Sequence, residues 1–161
     1  MRKVLLTVLA AMVAACSPAT GGASTGPAGA AAKTVHPESG LTVIPLTVTS
    51  ANGDHRFKVE VAASMMEQAR GLMFRTRLGP DEGMIFPMDP PRGASFWMKN
   101  TVISLDLIFI APDGRISNIA ANAVPYDLTS LESTGLVKGV LEIPGGRAKA
   151  LGIAPGDKVE W

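Results

Sequence analysis

The segment FWMKNTVISLDLIFI, residues 96–110, is the stretch on which the fold turns. From Leu105 to Ile110 it reads as a strand. Leu105, Leu107 and Phe109 share one face, and Asp106, Ile108 and Ile110 share the other. Both faces are apolar, so the strand is expected to be covered on both sides. Asp106 then sits where a carboxylate is costly unless it is paired or hydrogen-bonded. The nearest polar groups in sequence are Lys99, Asn100 and Thr101, which separate this strand from another expected over Ala94–Met98. Arg70, Arg75 and Arg77 are the expected cationic partners from elsewhere. Asp106 is thus either a brace between segments or a group at the floor of a cleft.

Working upstream, Leu41–Ser50 is rich in Thr, Val and Ile and predicts a strand, turned at Asn52-Gly53. Phe57, Val59 and Val61 alternate with Lys58 and Glu60, which predicts a half-exposed strand hairpinned onto the first. Ser64-Met65-Met66-Glu67 fits a capping box, opening a short helix that stops at Gly71. Gly83–Phe86 is a short apolar piece, and PMDPPRG (87–93) reads as a proline-rich loop. Downstream, Asp113-Gly114 turns the 105–110 strand onto Ile116–Ala120, and residues 124–135 read as a long polar loop. Val137–Ile143 predicts a strand, Gly145-Gly146 opens a short helix through Leu151, and a tight turn leads into a final strand. The sum is an α+β domain, mainly antiparallel β, compact and barrel-like, with two short helices.

The first residues read as targeting rather than fold. Arg2 and Lys3 precede an apolar run, Val4–Val13, too short to span a bilayer as a stable helix. It ends in Val13-Ala14-Ala15-Cys16, which resembles the lipobox of bacterial lipoproteins and marks Cys16 for lipidation. An ordinary secretory signal cleaved near the same place is the alternative. The expected organisation is a signal peptide over 1–15, a flexible Ala/Gly-rich tether over 16–40 and one domain over 41–161. The protein is then exported to the cell envelope, with the membrane as partner through the lipid on Cys16, on the periplasmic side if the cell is Gram-negative.

Composition narrows the chemistry. Of 15 Lys and Arg, 13 remain once Arg2 and Lys3 are removed, against 14 Asp and Glu, so no nucleic acid is expected as partner. Cys16 is the sole cysteine. Once it is lipidated, disulfides, thiolate metal sites and cysteine nucleophiles are excluded. The methionines Met65, Met66, Met73, Met84, Met88 and Met98 raise the question of Cu(I), which favours thioethers. Both His36 and His55 lie away from them, and methionine is adaptable core filler, so no metal and no cofactor is expected. Ser95 and Ser104 have no histidine near in sequence, which disfavours a Ser-His-Asp relay. Asp106 and Glu142 form a conceivable carboxylate pair. Gly145-Gly146 could present backbone N–H groups to an anion, or be a plain strand-to-helix turn.

Six motifs occur in order: RGLMFR (70–75), GMIFPM (83–88), FWMKNT (96–101), LDLIFI (105–110), VLEIPGG (140–146) and LGIAPGDKV (151–159). Together they resemble the DUF192 family over about residues 55–161. The resemblance implies one compact β-rich domain, of a family often exported, and implies no reaction. It places motif positions at Arg70, Met73, Arg75, Met84, Trp97, Met98, Asn100, Thr101, Asp106 and Glu142. These residues either line one pocket or form a polar network that locks the fold.

Three functions follow as expectations. The first is a membrane-tethered binding module for a polar or anionic ligand, an envelope saccharide or peptide. In it Arg70 or Arg75 grips the ligand, Trp97 forms a flat wall and Asn100 fixes orientation, with Met73, Met98, Thr101, Asp106 and Glu142 as further candidate contacts. The second is an envelope-polymer hydrolase or lyase using Asp106 and Glu142. The third is a methionine-based copper carrier.

Overall fold

The computed structural model describes residues 34–161. The expected signal peptide, Cys16 and most of the expected tether lie outside them. Among the described residues no helix is long and apolar enough to cross a membrane.

The strands are β1 (Thr34–Val35), β2 (Thr42–Ser50), β3 (Gly53–Val61), β4 (Glu82–Arg92), β5 (Ser95–Phe96), β6 (Leu105–Ile110), β7 (Ile116–Ala123), β8 (Leu131–Glu132), β9 (Val137–Pro144) and β10 (Lys158–Glu160). Two short helices, α1 (Met65–Arg70) and α2 (Arg147–Leu151), complete the domain. The main sheet runs β1-β2-β3-β4-β9-β6-β7, with β10 also paired to β2, and β5 pairs with β8 in a small second sheet. Every pairing is antiparallel except β3 with β4, whose connection carries α1. The α+β class is as expected. The sheet does not close into a barrel: one isolated bridge, Arg115 to Lys158, joins the turn between β6 and β7 to β10.

The burial of β6 follows from its position between β7 and β9 and from cover on both faces. All six of its residues are buried. Ile108 and Ile110 join a core with Leu46, Val48, Phe57, Val59, Ile85, Leu141 and Ile143, closed by Ala148 of α2 and by Ile153 and Val159. Leu105, Leu107 and Phe109 join a second core on the opposite face, with Leu72, Met84, Phe86, Met98, Val137 and Val140. The alternation read from LDLIFI thus separates two cores.

Three local expectations are corrected. GMIFPM and PMDPPRG are one continuous strand, β4, and not a short piece followed by a loop. Its ladder with β9 shifts register between Pro87 and Arg92, so Pro90 and Pro91 fall where pairing is already interrupted, and Asp89-Pro90 is cis. The expected strand over Ala94–Met98 is only the two residues of β5. The domain also begins before residue 41, because Thr34–Val35 pairs with Val43 and Thr42 of β2.

The first helix forms as its sequence requires. Ser64 accepts from the backbone N–H of Glu67, and Glu67 reaches back to the N–H of Ser64 at 2.7 Å. Gly71 ends it with a φ of 48°. At Gly83 a side chain is excluded, since a Cβ would lie 2.5 Å from the carbonyl oxygen of Glu142 on the neighbouring strand. Close approach there sets Glu142 in register with Met84.

Candidate functional site

Asp106 is fully buried, as its neighbours demand, but its partners are not those expected. Neither an arginine nor Asn100 reaches it. Its Oδ1 accepts from the backbone N–H of Asn122 at 2.7 Å and of Gly146 at 2.9 Å, and its Oδ2 accepts from Ala148 N–H at 2.8 Å. Each donor is an orphan of the local backbone. Asn122, with a φ of 52°, lies where the β6–β7 register shifts between Leu105 and Leu107. Gly146 caps α2 in a left-handed conformation and has no side chain to cap it with; Ala148 is in the first turn. The carboxylate therefore caps α2 from another strand and fills a bulge at the same time. The anion that Gly145-Gly146 could receive is supplied from within the fold.

Arg75 is also committed. It is buried, and its guanidinium forks onto Glu60, Nη1 to Oε1 at 2.9 Å and Nη2 to Oε2 at 3.0 Å. Its Nε lies 3.2 Å from Glu38. His36 is 3.7 Å from Glu60, and the Ser39 hydroxyl donates to the same carboxylate. This cluster fastens residues 36–39 to the domain. It also corrects the reading of β3, since Glu60 is not on a half-exposed face but buried against Arg75.

Glu142 is different. By register it stands in a row across the sheet with Met84 of β4 and Leu107 of β6, while Met84 pairs with Glu60 on its other side. Of the two buried carboxyls in this row, Glu60 has its arginine and Glu142 has no cationic partner among the described residues. Only 6% of Glu142 is exposed, and burial pushes its carboxyl up to about 8. It is therefore mostly protonated at neutral pH and available as a hydrogen-bond donor.

Glu142 lines a hollow of about 430 Å³. Leu72, Phe86, Met88 and Phe96 supply apolar wall, and Arg70, Arg92, Lys99 and Trp97 surround it. Trp97 is 52% exposed, with the Lys99 ammonium 5.2 Å from its ring centre. Arg92 donates to the Gln68 amide at 3.3 Å, and that amide is pinned to the carbonyls of Ala62 and Pro87. With Glu142 uncharged, the lining carries three cations and no carboxylate charge.

Of the nine candidate residues, Arg70, Met73, Trp97, Thr101 and Glu142 converge on this cleft. Arg75, Met98, Asn100 and Asp106 do not line it. Met98 is core. Asn100 backs Met73, its amide 3.8 Å from the sulfur. Asp106 and Glu142 lie on opposite faces of the sheet, because Asp106 is opposite Ile143 and Glu142 is opposite Leu107. The structure does not bring them together as an acid–base pair. Met84, Met88 and Met98 are buried, whereas Met65 and Met66 stand exposed on α1, so those two are not core filler. Lys99, Arg92 and Gln68 were not among the candidates. Lys99 was visible only as a polar neighbour of Asp106, and Arg92 lay in a segment read as loop.

The DUF192 profile, described as "Uncharacterized ACR", matches residues 47–161. The chain belongs to the DUF192 family. No curated protein matches it. A crystal structure from Novosphingobium aromaticivorans, of a protein of unknown function, is 61% identical with a TM-score of 0.80, covering 82% of this chain and 94% of that one. A second, from Sinorhizobium meliloti 1021, is described as a candidate transcription regulator. It is 39% identical with a TM-score of 0.72, covering 74% of this chain and 94% of that one. The DUF192 match spans all the cleft residues.

Proposed function

We propose that the domain is a binding module whose Glu142 cleft takes a ligand bearing a carboxylate or phosphate together with polar groups. The observation that carries this reading is the buried Glu142, without a cationic partner among the described residues, beneath a rim of cations. A protonated carboxyl at the floor donates to a ligand oxygen, Arg70 and Arg92 supply forked donors, and Trp97 supplies a flat apolar wall. We place the module at the envelope face of a membrane, held by a lipid on Cys16.

Calorimetric titration with glucuronate, with glucose as the neutral control, tests the cleft. Glucuronate should bind and glucose should not. Binding should weaken at least tenfold in an Arg70→Ala, Arg92→Ala double variant, the loss of charge-assisted contacts being worth about 1.5 to 3 kcal/mol. It should also weaken as pH rises through about 8, where Glu142 acquires charge. Equal affinity in the parent and the double variant would remove the cleft from consideration. The anchor is tested separately: Cys16→Ala should move the protein from the membrane to the soluble envelope fraction, and continued membrane fractionation would refute it.

A further inference from the structure

Among the described residues, three of the four non-glycine residues with positive φ meet at one turn. They are Phe74 at 63°, Asn100 at 56° and Tyr126 at 64°. The Phe74 N–H donates to Asn100 O at 2.8 Å, and the Tyr126 N–H to Thr101 O at 3.2 Å. Asparagine tolerates this conformation, but a bulky aromatic in it is an outlier, and such outliers concentrate where a ligand is held. Phe74 gains no burial in exchange, since it is 63% exposed. It borders a second hollow, of about 390 Å³, that shares Arg70, Gly71 and Met73 with the Glu142 cleft. Arg70 therefore faces both hollows, and its guanidinium has no ion pair among the described residues. The second hollow also carries two acidic side chains, each with partners of its own. Glu38 is paired with Arg75, and Glu67 accepts from the N–H groups of Ala63 and Ser64.

We propose that the hollow beside Phe74 is a second subsite, and that the ligand is a linear acidic oligosaccharide with one sugar ring against Trp97, the next against Phe74, and Arg70 on the acid group between them. The inference rests on the cleft reading above and extends it. A sugar is favoured over a peptide by the two exposed aromatic faces, which suit the flat C–H face of a pyranose. The floor strand β9 is flanked on both sides by β4 and β6, so the floor offers no unpaired edge for a peptide to extend.

Calorimetry on the full chain with glucuronate and with a glucuronate tetramer tests it. The tetramer should bind at least tenfold tighter. Phe74→Ala should abolish that gain, leave glucuronate affinity unchanged and keep the melting temperature. Phe74→Trp should retain the gain, and Arg70→Ala should weaken both ligands. Equal affinity for monomer and tetramer, with monomer binding still dependent on Arg92, would overturn the second subsite and leave the cleft reading standing. Failure of both ligands to bind would overturn both. Tetraglutamate binding as tightly as the sugar tetramer would overturn the saccharide assignment.

Discussion

Asp106 and Glu142, two of the three carboxyls buried in the sheet, differ because of what faces them. Asp106 accepts three backbone N–H groups, so its charge is spread over peptide dipoles that have no other acceptor. Asp106→Ala would strand all three and should cost about 3 to 5 kcal/mol in urea unfolding. Asp106→Asn keeps an acceptor for Asn122 and Gly146 but turns an NH₂ toward Ala148, so it should cost about 1 to 3 kcal/mol. An Asp106→Ala melting point within a degree or two of the parent would refute the brace. Glu142 predicts a pH effect of the opposite kind from an ordinary salt-bridged acid. Its folded value, about 8, lies above the ordinary 4.5. Below 4.5 both states hold the proton. Between 4.5 and 8 the unfolded chain releases it and the folded chain keeps it, so stability falls as pH rises, by at most about 1.4 kcal/mol per unit. Glu142→Gln should flatten the melting-temperature profile across that window, and an unchanged slope would refute the assignment. The burial of Asp106 was legible from its neighbours. Its partners were not, because backbone N–H groups at a bulge and a helix start carry no side-chain signature.

At the level of elements, the capping box, the hairpin turns and LDLIFI were legible because local chemistry sets them. The strand β4 was not: its prolines argue against a ladder, and only the register shift opposite β9 accommodates them. β1 was also hidden, since a two-residue strand in an Ala/Gly-rich context has no periodicity to read. What holds it down is tertiary, the Arg75–Glu60 fork with His36, Glu38 and Ser39 around it. Arg75→Ala should leave Glu60 buried without its cation and cost about 3 to 5 kcal/mol by chemical denaturation. Hydrogen exchange should quicken at the His36–Leu41 backbone bonds as well, because their support is lost. Protection there equal to the parent's would show that β1 is held by its own pairing with β2.

For the whole molecule, the α+β class was legible, but the barrel-like closure expected from the sequence is not there. A count of short strands suggests closure, yet closure depends on tilt and stagger that only the assembled sheet reveals. The parallel step from β3 to β4 breaks the simple meander and sets the order β4-β9-β6, which puts Glu142 on a central strand under the cleft. The placement of β10 has a kinetic consequence. Lys158 lies opposite Thr49 on β2, 109 positions earlier in the chain, while β4 must wait for β9, over 50 positions later. Such distant pairings pay their loop-closure entropy before they return any contact energy, so refolding belongs in the millisecond-to-second class and not with helical bundles in microseconds. During synthesis β2 and β3 leave the ribosome with an edge that, among the described residues, β10 covers along Thr47–Thr49. For that interval the nascent sheet is an open template for a neighbouring strand, a hazard that ends when the last strand docks.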